Sequence, residues 1–101
     1  MPRLIRVSGG SMEPTVSDGD YILITKPRRI RPGFIYVLQH ERLGRIVKRL
    51  DLINEGQCKW SGDSLESTES DRIGLTSKDC ILGQARLAIT PRGLKRLSTK
   101  T

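Results

Sequence analysis

FIYVLQHERLGRIVKRLDLI, residues 34–53, decides the fold. Its two halves are rich in β-branched and aromatic side chains, and the turn-like ERLG at 41–44 lies between them. This composition marks two strands folding back on each other as a hairpin. In the second half, alternation puts Ile46, Lys48 and Leu50 on one face and Arg45, Val47 and Arg49 on the other. Working outward, RLIRV (3–7), DYILITK (20–26), a short run around QCKW (57–60) and DCILGQARLAI (79–89) carry the same strand bias. SDGD (17–20) and KPRRIRPG (26–33) punctuate them as turns. The longest irregular segments fall at 8–19 and 61–78, and TPRGLKRL (90–97) predicts a short helical turn capped by Thr90 with Pro91 at its first position. The expected fold is mainly β: a small, coiled, antiparallel β domain over 1–90, followed by a basic C-terminal tail over 91–101.

Composition narrows the function. With 101 residues, 36% of them apolar, the chain can bury one modest core. No run approaches the roughly 20 apolar residues of a membrane-spanning helix, and MPRLIRVSGG lacks the features of a secretory signal. These features set the expectation of a soluble, cytoplasmic protein. Cys58 and Cys80 are then expected as free thiols rather than a bridge. His40 is the only histidine and there is no close Cys-x-x-Cys pair, so no metal or other cofactor is expected. The net charge of +7 raises nucleic acid as a partner, but aromatics are 4% and no groove-reading motif is present, so solvated basic loops are the preferred reading. Those loops could attract anionic lipid, although weakly without apolar insertion.

Three features point to chemistry. SGGSMEPT (8–15) presents Ser11 behind Gly9 and Gly10, and a serine hydroxyl is inert until a base takes its proton. Lys48 is a cation on an apolar strand face. Burial disfavours an ammonium ion and can leave a lysine amine usable as a base, whereas a snorkelling lysine stays solvated, and the residues alone leave both readings open. The polar segment SGDSLESTESDR (61–72) offers Ser64, Ser67 and Ser70 as hydroxyls able to hold a neutral lysine.

In order and spacing, the chain resembles the Ser-Lys peptidases that include type I signal peptidases and LexA-type self-cleaving repressors. The resemblance covers residues 5–84: SMEPT at 11–15, Gly19-Asp20, Lys48-Arg49, and GDSLESTESDRIG at 62–74, a looser match that favours the signal-peptidase branch. It implies a serine endopeptidase with Ser11 as nucleophile and Lys48 as general base. Ser67 would hold the lysine amine and the Ser11 N–H would serve the oxyanion. Gly9 and Gly10 would allow the bend and the close approach of substrate. Glu69 and Arg72 would form a supporting ion pair, although Ser64 replaces the family asparagine and the register of this loop departs from the pattern. Neither the membrane anchor nor the inserted domain of many signal peptidases is expected. In this trimmed form the chain resembles the small proteases that mature proproteins, among them those of nickel-type superoxide dismutase. The implied partner is the leader of a soluble proprotein. The rivals are an unanchored signal peptidase, the detached peptidase half of a LexA-type repressor, and a nucleic-acid- or protein-binding module on a peptidase scaffold.

Overall fold

The computed structural model describes residues 2–64 and 73–98. Among the described residues, eight strands form one antiparallel sheet: β1 (Arg3–Arg6), β2 (Tyr21–Thr25), β3 (Ile35–His40), β4 (Gly44–Asn54), β5 (Gln57–Ser61), β6 (Thr76–Ser77), β7 (Ile81–Thr90) and β8 (Gly93–Arg96). The spatial order is β1-β2-β7-β3-β4-β5-β6, with β8 pairing β7. The mainly β, coiled antiparallel domain expected from the sequence is what forms.

β3 shows why the sheet coils. Its residues Ile35, Tyr36, Val37 and Leu38 are buried in succession, so both faces of the strand are covered. Since side chains alternate, Ile35 and Val37 enter one core with Ile5, Met12, Ile22 and Ala88, while Tyr36 and Leu38 enter a second with Leu50, Cys58, Trp60 and Ile73. In the second core Tyr36 and Trp60 meet edge to face at 5.9 Å, and the indole N–H donates to Thr76 Oγ1 at 2.7 Å. A flat sheet with one wet face cannot bury both sets; a curled one can.

The deciding hairpin forms between β3 and β4, with Tyr36 opposite Lys48 and Val37 opposite Val47. Its loop is one residue shorter than expected, because Gly44 is already paired with His40. The turn is fastened by the His40 ring. Nδ1 accepts from the Arg42 and Leu43 N–H groups, both at 3.1 Å, so Nε2 carries the proton and donates to the Ile73 carbonyl at 2.9 Å.

Two local expectations are corrected. The helical turn at 90–97 is a hairpin: Thr90 pairs with Gly93, and Thr90 Oγ1 accepts from the Arg92 N–H and donates to the Gly93 carbonyl. Thr-Pro opens a tight turn as readily as a helix, and pairing along β7 satisfies more backbone than one isolated helical turn could. Leu97, just beyond β8, is buried in the first core. The segment 61–78, read as irregular, contains β6, where Cys58 pairs with Thr76 and Gln57 with Ser77.

Candidate active site

The loop between β1 and β2 carries Ser11 and is tied down along its length. Gly9, at a φ of 84°, takes a conformation open to glycine at little cost, and its N–H donates to Asp18 Oδ1 at 2.8 Å. Gly10, expected to share this role, lies outside the left-handed region. After Ser11, the Met12 carbonyl accepts from the Thr15 and Val16 N–H groups at 2.8 and 3.1 Å, and the Glu13–Pro14 peptide is cis. Met12 and Val16 are buried in the first core. The half-buried Ser11 is therefore flanked by an anchored residue, and its carbonyl accepts from the Ser64 N–H at 2.9 Å. At the far end, Asp20 is buried and accepts from the Ser17 N–H at 2.9 Å, closing the loop where β2 begins.

Lys48 comes from β4. Its strand position faces Tyr36 in the register, and the side chain is 2% exposed, which excludes a head group held in bulk water. Ser11 and Lys48 line the same cleft of about 410 Å³, together with Ser8, Gly9 and Gly10 from the loop and Arg45, Ile46 and Val47 from β4.

The cleft sits where β4 is half-paired. Strand β5 pairs with β4 from Arg49 to Asn54, whereas residues 44–48 pair only with β3 among the described residues. Residues 45–47 of that edge line the cleft, and a strand edge is where a sheet takes up an extended peptide.

Behind the site lies a polar network whose role the sequence reading missed. Arg49, the neighbour of Lys48, points the opposite way along β4 and forms a forked pair with Asp63, Nε to Oδ1 at 2.7 Å and Nη2 to Oδ2 at 2.6 Å. Asp63 also accepts from the Thr15 hydroxyl, and Arg49 Nη1 donates to the carbonyls of Gly33 and Ser98. Lys95 of β8 donates to the Thr15 carbonyl at 2.9 Å. The serine loop, the lysine strand, the segment after β5 and the C-terminal strand thus meet at Thr15, Asp63 and Arg49. Alternation had already separated Arg49 from Lys48, and a guanidinium on a buried face needs a carboxylate; the sequence did not show that Asp63 would be that carboxylate.

Ser67, Glu69 and Arg72, named above as supporting residues, lie outside the described residues. Both cysteines are free, Cys58 buried and Cys80 half-buried. Burial pushes the Cys58 thiol and the Tyr36 phenol up from their ordinary pKa values. No helix among the described residues is long and apolar enough to cross a membrane.

The family described as Peptidase S24-like matches residues 3–74, which include both Ser11 and Lys48. A search of curated proteins found no match.

Proposed function

We propose, from the premise that the chain belongs to the Peptidase S24-like family and has a peptidase-type scaffold, that it is a serine endopeptidase with Ser11 as nucleophile and Lys48 as general base. One observation carries this reading: a half-buried serine on a pinned loop and a buried lysine line one cleft along the edge of β4. The substrate lies extended along residues 44–48 of β4. The neutral Lys48 amine takes the Ser11 hydroxyl proton as Oγ attacks the peptide carbonyl, and the Ser11 N–H stabilises the oxyanion. The lysine ammonium then returns the proton to the leaving amine. Water, deprotonated by the same amine, hydrolyses the acyl-enzyme and frees the serine. Ser67 holds the lysine amine, and Glu69 and Arg72 support the loop; these three assignments rest on the family resemblance.

The finer reading is removal of an N-terminal leader from a soluble proprotein, with a nickel superoxide dismutase precursor as the candidate substrate. This too rests on resemblance to the trimmed maturation proteases. The test incubates the purified chain with that precursor and, separately, with a secretory precursor in detergent, and maps the new termini by mass spectrometry. Ser11→Ala, Lys48→Met and Lys48→Arg should each abolish cleavage with the circular dichroism spectrum unchanged, since a guanidinium cannot serve as the base. Full activity in any of the three would refute the dyad. Processing of the secretory precursor alone would refute the proprotein assignment.

A further inference from the structure

The cleft that holds Ser11 and Lys48 is bounded by two stretches that are not neighbours in the sheet. In spatial order β2, β7 and β3 lie between β1 and β4, and only the curling of the sheet brings residues 5–12 and 45–48 to line one cleft. Its buried apolar part is Ile5, Val7 and Met12. Each stretch also contributes one arginine ahead of its reactive residue: Arg6, five positions before Ser11, and Arg45, three before Lys48. Both arginines are exposed, and among the described residues neither is joined to a carboxylate. The Arg6 guanidinium lies beside Gly19, where an added Cβ would come within 3.9 Å of Nη2. The acids flanking that glycine are engaged elsewhere: Asp18 accepts from the Gly9 N–H at 2.8 Å and Asp20 from the Ser17 N–H at 2.9 Å. Among the described residues, no aspartate or glutamate lines the cleft.

We infer that this cleft selects peptides carrying a carboxylate side chain within about four residues of the bond to be cut, with Arg45 and Arg6 as its specificity-determining residues. The inference takes from the peptidase reading that the cleft holds a peptide, and adds the substrate class. Along a strand rising ~3.3 Å per residue, Arg45 stands about 10 Å from Lys48; an extended substrate on β4 has the same rise, so the residue beside Arg45 is about three positions from the one beside Lys48. A guanidinium with no carboxylate of its own takes a glutamate or aspartate in a forked pair. Two cations over an apolar floor also draw anionic segments toward the cleft before they dock, and a basic peptide meets like charge in the same places. The lining holds no aromatic side chain on which a base would stack, which favours a peptide over a nucleic acid as the anion.

The test uses labelled peptides of an alanine-serine background in which one position at a time is glutamate, glutamine or lysine. Binding is measured by fluorescence anisotropy on the Ser11→Ala chain, and cleavage by mass spectrometry on the unsubstituted chain. Glutamate peptides should bind, and be cleaved as judged by the ratio of kcat/KM values, about threefold to tenfold better than their glutamine counterparts, and high salt should shrink the difference. Arg45→Glu should reverse the order and make the lysine peptide the better ligand, and Arg6→Glu should do so at a different peptide position. A reversal is a change of ratio that lost stability cannot produce, and thermal melts check that both variants fold. Equal binding of glutamate and glutamine peptides, or a glutamate preference that persists in Arg6→Glu/Arg45→Glu, would overturn the inference while leaving cleavage and the peptidase reading intact. A glutamate preference in binding with no cleavage by the unsubstituted chain would support the acidic-peptide cleft and refute the dyad. Tighter binding of a single-stranded oligonucleotide than of any glutamate peptide, lost in Arg45→Glu, would overturn the inference and assign the arginines to nucleic acid.

Discussion

Asp63→Asn should be among the costliest single-atom changes in this protein. The side chains of Arg49 and Asp63 are 8% and 3% exposed, and two contacts of 2.7 and 2.6 Å join them. Neutralising the carboxylate leaves a buried guanidinium without a counter-charge, held by the Gly33 and Ser98 carbonyls and one amide oxygen, and stripping one partner from a buried pair costs about 3–5 kcal/mol. Asparagine keeps one acceptor oxygen, so the lower end applies, about 3 kcal/mol. A domain of this size has a total stability of roughly 5–15 kcal/mol, and the loss corresponds to a fall in melting temperature of roughly 12–24 °C. Urea denaturation should show the midpoint moving with the slope unchanged, which distinguishes lost stability from an altered unfolded state. In a double-mutant cycle with Arg49→Met, the coupling should exceed about 2 kcal/mol, since each substitution removes the same pair. A loss under about 1 kcal/mol for Asp63→Asn, or a coupling near zero, would mean that water screens the pair and that it does not fasten the serine loop to β4.

Three further outcomes follow from packing and burial. At Gly83 a Cβ would come within 2.9 Å of Ile24 Cδ1 and 3.2 Å of its Cβ, so Gly83→Ala should cost about 1–3 kcal/mol in urea denaturation, and adding Ile24→Val should recover part of it; no recovery would locate the strain elsewhere. The Cys58 thiol is raised by burial, so the folded state holds its proton longer than the unfolded chain: the stabilisation is complete below the unfolded thiol value, roughly pH 8.5, and is lost as pH rises through the folded one. Urea midpoints should therefore fall more steeply above that pH than in Cys58→Ala, and identical slopes would refute the assignment. His40→Ala removes the acceptor of two turn N–H groups and the donor to Ile73, which should cost about 1–3 kcal/mol in urea denaturation while peptide cleavage persists; cleavage abolished in a folded variant would make His40 the base in place of Lys48.

The sequence by itself determined six of the eight described strands, β1–β5 and β7, because period-two alternation and β-branched composition are local properties. It also determined the two chemical candidates, since a serine behind two glycines and a lysine on an apolar strand face stand out without any contact being known. Three things depended on partners distant in the chain. Thr90-Pro91 suits a helix start or a tight turn, and only pairing with β7 selects the turn. Arg49 needed a carboxylate, and the fold supplied Asp63, fourteen residues on, where the loop after β5 meets Thr15. The cleft is the clearest case: Arg6 and Arg45 lie in separate strands, with β2, β7 and β3 between them in the sheet. Only the curling of the sheet brings both to one cleft, because the curl is set by two cores buried on opposite faces of β3, and the linear sequence keeps the residues of each core apart.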